Sequence, residues 1–332
     1  MSSVIISPDT ASQLVLQAFM VAGMPEDMAR PAARALVLAE QEGLPSHGLA
    51  RVPFYVDQMR TGKVVADAVP TVSRDGAVIR VDAGFGLAFA AIDAGAHTAR
   101  EVARDLGVAV VSVTHSHHFG VAGQSVEPFA RQGLVALALA NAPAAMAPWG
   151  GNSALYGTNP IAFAAPRAQG DPLVIDLSLS HVARGKVMLA QKAGQPIPEG
   201  WALDTDGTPT TDADAAMAGT MVPSGGAKGA ALALMVELLT AGLAGAHFAY
   251  QASSLFDDKG PAPDLAHFLL VLDPARFAPG FTDRAEAMFG AIESQEGARL
   301  PGARRMAERA ARADNIEIAQ PLHDTLTRLA RH

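Results

Sequence analysis

The segment Gly107–Gly120 constrains this chain more than any other. A β-branched run, Val108 to Val113, leads straight into Thr114-His115-Ser116-His117-His118-Phe119-Gly120. Such a run reads as a strand buried on both faces, the habit of parallel sheets. The C-terminal end of such a strand is where open α/β sheets place their ligands. Imidazole is the side chain suited to moving protons near neutral pH. Any one of these histidines alone reads as a polar residue satisfying loop carbonyls. His115, His117 and His118 together mark a candidate site. A second motif, Ser46-His47-Gly48 followed by Arg51, lies far upstream and can complete it.

The rest of the chain supplies the layers around that strand. Residues 7 to 43 predict two helices, the first capped by Asp9 or Thr10 and the second opened by Met24-Pro25-Glu26-Asp27. A loop carries Ser46 and His47, and a third helix is expected from about 51 to 60. Strands over 78–81, 108–113 and 134–140 alternate with helices over 87–106 and 121–132. This alternation predicts an α/β protein with helices covering a sheet. A turn-rich stretch, 141–160, precedes a strand at 173–175 that delivers Asp176. A helix over 182–193, an irregular stretch over 195–226 and an apolar helix over 229–243 follow. A strand at 268–272 and helices over 281–297 and 320–331 close the chain. At 332 residues the chain exceeds the commonest single-domain size, so two intertwined domains are expected.

Composition narrows the function. The hydrophobic share of 49% against 17% charged fits a packed globular protein. The net charge is −8 and no Lys/Arg block exceeds two residues, which argues against a broad nucleic-acid face. An acidic chain that handles an anionic substrate must concentrate a few cations locally. With no cysteine, disulfides, thiolate nucleophiles and Cys-based metal sites are excluded. The N-terminus lacks the pattern of a signal peptide, and no apolar run reaches the ~18 residues of a membrane span. A cytoplasmic protein without membrane or nucleic-acid partners is expected.

The motifs then divide by chemistry. No dinucleotide fingerprint is present: Gly84-Phe85-Gly86 has Phe89 where the third glycine belongs. There is no P-loop either, since Gly62-Lys63 and Gly185-Lys186 are each followed by valine. Arg51 can be a surface arginine, or it can grip a substrate carboxylate with its two-pronged guanidinium. Ser46 can orient His47, which would move a proton. If the helix begins at His47, the four-residue spacing places His47 and Arg51 on one face. No acidic partner stands near His117 and His118 for a metal, so no metal is expected. Asp176 and Ser178 read either as a helix cap or as contacts to ribose or amide groups. Lys186 reads as a lysine snorkelling from a helix. Lys228 opens a helix after Ser224-Gly225-Gly226-Ala227, where a cation is unfavourable unless it meets an anion such as a cofactor phosphate.

These residues resemble the malate/L-lactate dehydrogenase family, which is unrelated to the Rossmann dehydrogenases. The family also includes ureidoglycolate and sulfolactate dehydrogenases and the reductases of Δ1-piperideine-2-carboxylate and Δ1-pyrroline-2-carboxylate. The matching motifs are Ser46-His47-Gly48-Leu49-Ala50-Arg51, Ser116-His117-His118-Phe119-Gly120, Met146-Ala147-Pro148-Trp149-Gly150-Gly151, Gly157-Thr158-Asn159-Pro160, Gly225-Gly226-Ala227-Lys228-Gly229 and Pro301-Gly302-Ala303-Arg304-Arg305. They stand in the family's order over nearly the whole chain. The resemblance implies a non-Rossmann NAD(P)-binding α/β fold with a large mixed sheet covered by helices. It implies an NAD(P)-binding domain, residues 111–264, inserted into a substrate and dimerisation domain of residues 1–110 and 265–332, and a homodimer.

It further implies hydride exchange between NAD or NADP and a small 2-oxo or 2-hydroxy carboxylate. Carried over by position, His47, Ser46, His118 and Lys186 form the catalytic set, with Arg51 and His117 binding substrate. The implied cofactor contacts are His118, Phe119, Gly120, Asn141, Thr158, Asp176, Leu177, Ser178, Arg184, Gly185, Gly226, Lys228, Pro301, Gly302 and Arg304. The segments His117-His118-Phe119, Val126-Glu127-Pro128-Phe129-Ala130 and Gly245-Ala246-His247-Phe248 are similar to the cyclic ketimine reductases. Those enzymes carry an acid where this chain has Lys186. A lysine there and the segment Ser253–Asp258 are similar to the hydroxy-acid dehydrogenases. A ketimine reductase is the alternative activity, and a catalytically silent nucleotide sensor the alternative of another class.

Overall fold

The computed structural model describes residues 2–331, the side chain of Lys192 excepted. Strand β1 (Ser3–Ile6) leads into helices α1 (Pro8–Val21) and α2 (Glu26–Gln41). Ser7, rather than Asp9 or Thr10, caps α1: its hydroxyl accepts the Thr10 N–H at 3.1 Å. After the loop that carries Ser46 and His47 comes α3 (Val52–Arg60). A hairpin of β2 (Thr71–Asp75) and β3 (Val78–Asp82) follows, then α4 (Ala88–Leu106), β4 (Val108–Ser116), α5 (Ala122–Ala130) and β5 (Val135–Ala140).

β6 (Ile161–Ala165) and β7 (Leu173–Leu177) precede α6 (Arg184–Lys192). The stretch expected to be irregular folds into β8 (Ala202–Leu203), β9 (Pro209–Thr210), α7 (Ala213–Ala218) and β10 (Thr220–Met221). Helix α8 (Ala227–Glu237) runs on through a π-helical turn, Leu238–Gly242. β11 (Leu265–Leu272), α9 (Phe281–Glu293), α10 (Ala303–Ala311), β12 (Ile316–Ala319) and α11 (Gln320–Leu329) complete the chain.

The main sheet is seven-stranded, in the order β2-β3-β4-β11-β5-β6-β7. Only β3 and β4 pair in parallel; the other neighbours are antiparallel. The run is therefore not the doubly buried strand of a parallel sheet: Ala109, Val111 and Val113 are buried in the core with α4, while Val108, Val110 and Ser112 on the other face are only half-buried. Residues from α4 and α5 pack with β3, β4, β5 and β11 into one core, which includes Ile79, Val111, Val113, Phe129 and Leu269. A second core joins α1, α2, α3 and α11 around Phe19, Leu36, Tyr55 and Leu326. A third lies under α6, α7 and α8 around Met146, Val187, Ile197 and Val236. β1 and β12 pair antiparallel and tie the two ends of the chain together.

One irregularity in the sheet builds the site. Against β11, Leu265 faces Ser116 but His267 faces Val113, so β4 carries one extra residue there. His115 lies inside this bulge with a φ of +47°. A bulge bends a strand and re-aims the side chains beyond it. His117 and His118 follow directly, and both are buried.

Candidate active site

The upstream motif is held as two tight turns. A 3-10 turn spans Pro45–His47, Gly48 breaks it, and a second spans Leu49–Arg51 before α3 begins. The continuous helix that would place His47 and Arg51 on one face therefore does not form. A hydrogen bond replaces it: Arg51 Nε donates to the Ser46 carbonyl at 2.9 Å and folds the guanidinium back beside the histidine. The Leu49 N–H donates to Glu40 Oε2 at 3.0 Å. A side chain on Gly48 would collide with that same carboxylate, so Glu40 and Gly48 shape the turn as a pair. Ser46 Oγ lies 3.0 Å from His47 Nδ1, which leaves Nε2 for a substrate.

The bulged strand end supplies the other half. The rings of His47 and His118 lie 5.5 Å apart, centroid to centroid. His118 Nδ1 shares a 2.5 Å hydrogen bond with the Tyr55 hydroxyl. Tyr55 is fully buried and follows Arg51 by four residues, so α3 links the two motifs. His117 packs edge-on against Tyr55 at 5.7 Å, and neither of its ring nitrogens finds a partner. His115 does not join this group. It is half-buried, lies 3.0 Å from Asp82 Oδ1 and rests on the Phe85 ring. His267, on β11, contacts Ser116 Oγ and the His117 carbonyl and stacks on Phe119.

Burial, aided by neighbouring charge, keeps His47, His117 and His118 neutral. Desolvation and then the Arg51 charge lower His47 to about 4. His118 lies well below its ordinary value for the same two reasons, with His47, His117 and His267 adding smaller effects. His117 is pushed down to about 3 by burial, then by Lys63, Arg51 and His267. Each neutral imidazole keeps a ring nitrogen able to accept a proton. Arg51 is itself buried, its guanidinium carbon 4.6 Å from the centre of the Phe256 ring. Its Nη1 is buried without a hydrogen-bond partner. A buried unpaired guanidinium nitrogen is costly unless a ligand completes it.

The other expected contacts divide into two groups. The start of α6 abuts the turn that carries Ser46 and His47, since a Cβ on Gly185 would lie 3.9 Å from the Ser46 Cβ. Lys186 follows, exposed to solvent. Arg184 sends its guanidinium to the carbonyls of Ala144 (3.2 Å) and Met217 (3.4 Å) and braces two loops. Asn141 bridges β5 and β11 to the 247 loop: its amide donates to the His247 carbonyl at 2.8 Å and accepts the Ala266 N–H at 2.9 Å.

Along the edge of the sheet, Asp176 Oδ2 accepts the Gly123 N–H at 2.7 Å, close to the start of α5. It lies 3.5 Å from Arg305, which joins Glu42, Glu127 and Arg309 in an ion network. Gly302 packs on β7, where a Cβ would stand 2.5 Å from the Val174 carbonyl and φ is +85°. Pro301 and Gly302 thereby come beside Asp176. Leu177 is exposed, Ser178 hydrogen-bonds within its own loop, and the Thr158 carbonyl accepts the Leu179 N–H at 2.8 Å. Gly226 sits under Trp149, and Lys228 and Arg304 are exposed.

The sequence pattern of the malate/L-lactate dehydrogenase family matches residues 6–327. The chain belongs to the malate/L-lactate dehydrogenase family. Within it, the (2R)-3-sulfolactate dehydrogenase (NADP(+)) of Chromohalobacter salexigens is 60% identical, over 97% of this chain and 96% of that protein. The Δ1-pyrroline-2-carboxylate/Δ1-piperideine-2-carboxylate reductase of Pseudomonas syringae pv. tomato is 40% identical, over 96% of this chain and 94% of that protein. A crystal structure of a Δ1-piperideine-2-carboxylate reductase from Pseudomonas syringae pv. tomato superposes with a TM-score of 0.92 at 38% identity, covering 98% and 99% of the two chains. The chain is accordingly an NAD(P)-dependent oxidoreductase of a small carboxylate, with the α/β fold and mixed sheet that the resemblance implied.

The residues present fit a nicotinamide dinucleotide held in a non-Rossmann manner. The first-turn N–H groups of α8 have no side-chain cap, and Lys228 stands among them without an ion pair among the described residues. Free amides and a lysine together suit a phosphate. Several residues that matter to the site were not singled out in the sequence: Tyr55, Glu40, His267 and Glu237; Lys63 was noted there only as a failed P-loop lysine. Glu237 is the lone carboxylate of an apolar helix, and that isolation was a visible signal. It accepts from the Asn159 amide at 2.8 Å and the Ala249 N–H at 3.0 Å, and so shapes the loop that carries Thr158.

Proposed function

We propose that this chain is an NADP-dependent dehydrogenase of a 2-hydroxy acid bearing a second anionic group, with (2R)-3-sulfolactate as its substrate. The observation that carries the reading is the buried, unpaired Nη1 of Arg51 beside two neutral histidines. Arg51 binds the substrate carboxylate through its fork. His47, with Nδ1 engaged by Ser46, takes the proton of the 2-hydroxyl on Nε2. A bound NADP would supply the hydride acceptor for C2. The products are the 2-oxo acid, NADPH and a proton that His47 releases to solvent. The bound carboxylate offsets the charge of Arg51, so His47 becomes easier to protonate with substrate in place.

Two points favour the hydroxy acid over the cyclic imine. The 60% identical relative is named for sulfolactate and NADP(+). Lys186, at the end of the site that Gly185 brings to Ser46, is a cation where the imine reductases are read to carry an acid. His118, Phe119, Gly120, Asn141, Thr158, Asp176, Leu177, Ser178, Arg184, Gly185, Gly226, Lys228, Pro301, Gly302 and Arg304 form the proposed NADP region, drawn from the ends of β4, β5 and β7, the loop before β6 and the starts of α6, α8 and α10. The inserted segment 111–264 is read as the cofactor domain.

A homodimer is part of the same reading. It is supported by the exposed Leu232, Met235, Leu238 and Leu243 on and after α8. Cytoplasmic residence belongs to the proposal too; no described helix is long and apolar enough to cross a membrane. Initial rates decide the substrate. The ratio of kcat/KM for sulfolactate and for Δ1-piperideine-2-carboxylate, each with both cofactors, should favour sulfolactate with NADP. A preference for the imine would return the ketimine reductase reading.

A further inference from the structure

We propose that Lys63 is a positioning residue for substrate binding: it fixes the segment Ser253–Gly260 so that Phe256 lies against Arg51. The inference rests on the reading of Arg51 as the carboxylate anchor. Lys63 is 2% exposed and its side chain is wholly buried. A buried lysine persists only where acceptors replace its water. Here one segment supplies them all. The ammonium donates to the carbonyls of Ser254 at 2.6 Å, Lys259 at 2.7 Å and Asp257 at 3.1 Å, and lies 3.3 Å from Asp257 Oδ1. The loop is wrapped around the cation, much as a peptide wraps a metal ion.

Two further bonds from α3 and its end secure the same loop. The Gln58 amide donates to the Asp257 carbonyl at 2.8 Å, and the Thr61 hydroxyl donates to the Asp258 carbonyl at 3.2 Å. Between the carbonyls that Lys63 gathers stands Phe256. Its ring meets Phe54 edge-on at 6.4 Å and carries the Arg51 guanidinium on its face at 4.6 Å. A guanidinium on an aromatic face is oriented as well as stabilised. The ring covers one face of the fork and leaves the in-plane N–H groups for a carboxylate. Lys63 thus acts on Arg51 through the loop, not by touching substrate. The charge of Lys63 also reaches His117, where it helps to hold the imidazole neutral.

The test is kinetic. Lys63→Met keeps the length of the side chain and removes the donors. The KM for the carboxylate substrate should rise about tenfold, the equivalent of ~1.4 kcal/mol, with the Kd of NADPH by fluorescence unchanged. Phe256→Leu alters a partly exposed residue and should raise KM in the same direction without touching the ammonium. In an Arg51→Met background, Lys63→Met should add nothing further to KM. Wild-type KM in both Phe256→Leu and Lys63→Met overturns the proposal. So do effects of Lys63→Met and Arg51→Met that simply multiply. If Lys63→Met does not fold, Phe256→Leu alone decides, and wild-type KM in it overturns the proposal. Wild-type KM in Arg51→Met itself removes the anchor reading instead, which separates the two failures.

Discussion

Tyr55 and His118 share a hydrogen bond of 2.5 Å in the interior, between the middle of α3 and the end of the bulged strand. Burial raises the phenol out of reach of ionisation and lowers the imidazole, so both partners stay neutral. The bond fixes one rotation of the His118 ring. Its loss in Tyr55→Phe costs about 1 kcal/mol, the ordinary worth of such a bond. Turnover should fall roughly fivefold as His118 loses its orientation. Unchanged steady-state constants in Tyr55→Phe would show that the bond serves packing alone.

His47 is expected to be the proton carrier and His118 its neighbour. His47→Ala should lower kcat by at least ~10², the low end for general acid–base catalysis, with NADPH affinity near wild type. His118→Ala should disturb cofactor affinity and kcat together. Steady-state kinetics and fluorescence titration read both. If His118→Ala abolishes turnover and His47→Ala is nearly silent, the roles are exchanged.

Lys228 stands exposed in the first turn of an uncapped helix. Lys228→Ala should weaken NADPH binding by roughly 1.5–3 kcal/mol, the range for a charge-assisted bond, and leave the order of substrate preference intact. Titration of intrinsic fluorescence with NADPH measures it. An unaltered Kd would take Lys228 out of the cofactor region.

The buried histidines also make stability depend on pH. His117 and His267 are fully buried and lowered to about 3, chiefly by desolvation. Unfolded, each returns to its ordinary value of about 6.5. Between those limits the unfolded chain binds more protons than the folded one, so stability falls as pH falls from 6.5 toward 3. Each contributes up to ~1.4 kcal/mol per pH unit. Denaturant unfolding at pH 7 and pH 5 should show the loss, and His267→Gln should reduce the slope. A midpoint that does not move between those pH values would contradict it.

Much of this was legible in the residues. The run Val108–Val113 announced the central strand, and Ser46, His47, Arg51 and His118 do come together. What the residues concealed is tertiary. An unbroken apolar run cannot fix whether its neighbours are parallel or antiparallel, so the reversal of β11 beside β4 was hidden. His115 looked like a third member of the cluster, yet the bulge turns it toward Asp82. Gly48 ended a turn where a helix was expected, because Glu40, from α2, fills the space a side chain would need. Lys63 looked like a failed phosphate loop. Its acceptors lie some 190 residues downstream, a distance no local pattern encodes.

The central claim is that Arg51 receives the carboxylate of a 2-hydroxy acid while His47 takes its proton. Oxidation of (2R)-3-sulfolactate by NADP, followed at 340 nm in wild type and Arg51→Met side by side, tests it most directly. Wild type should turn over, and Arg51→Met should show a KM raised roughly 10- to 100-fold, as expected for a lost charge-assisted pair of ~1.5–3 kcal/mol. No turnover by wild type, or the same KM in both proteins, would contradict the account.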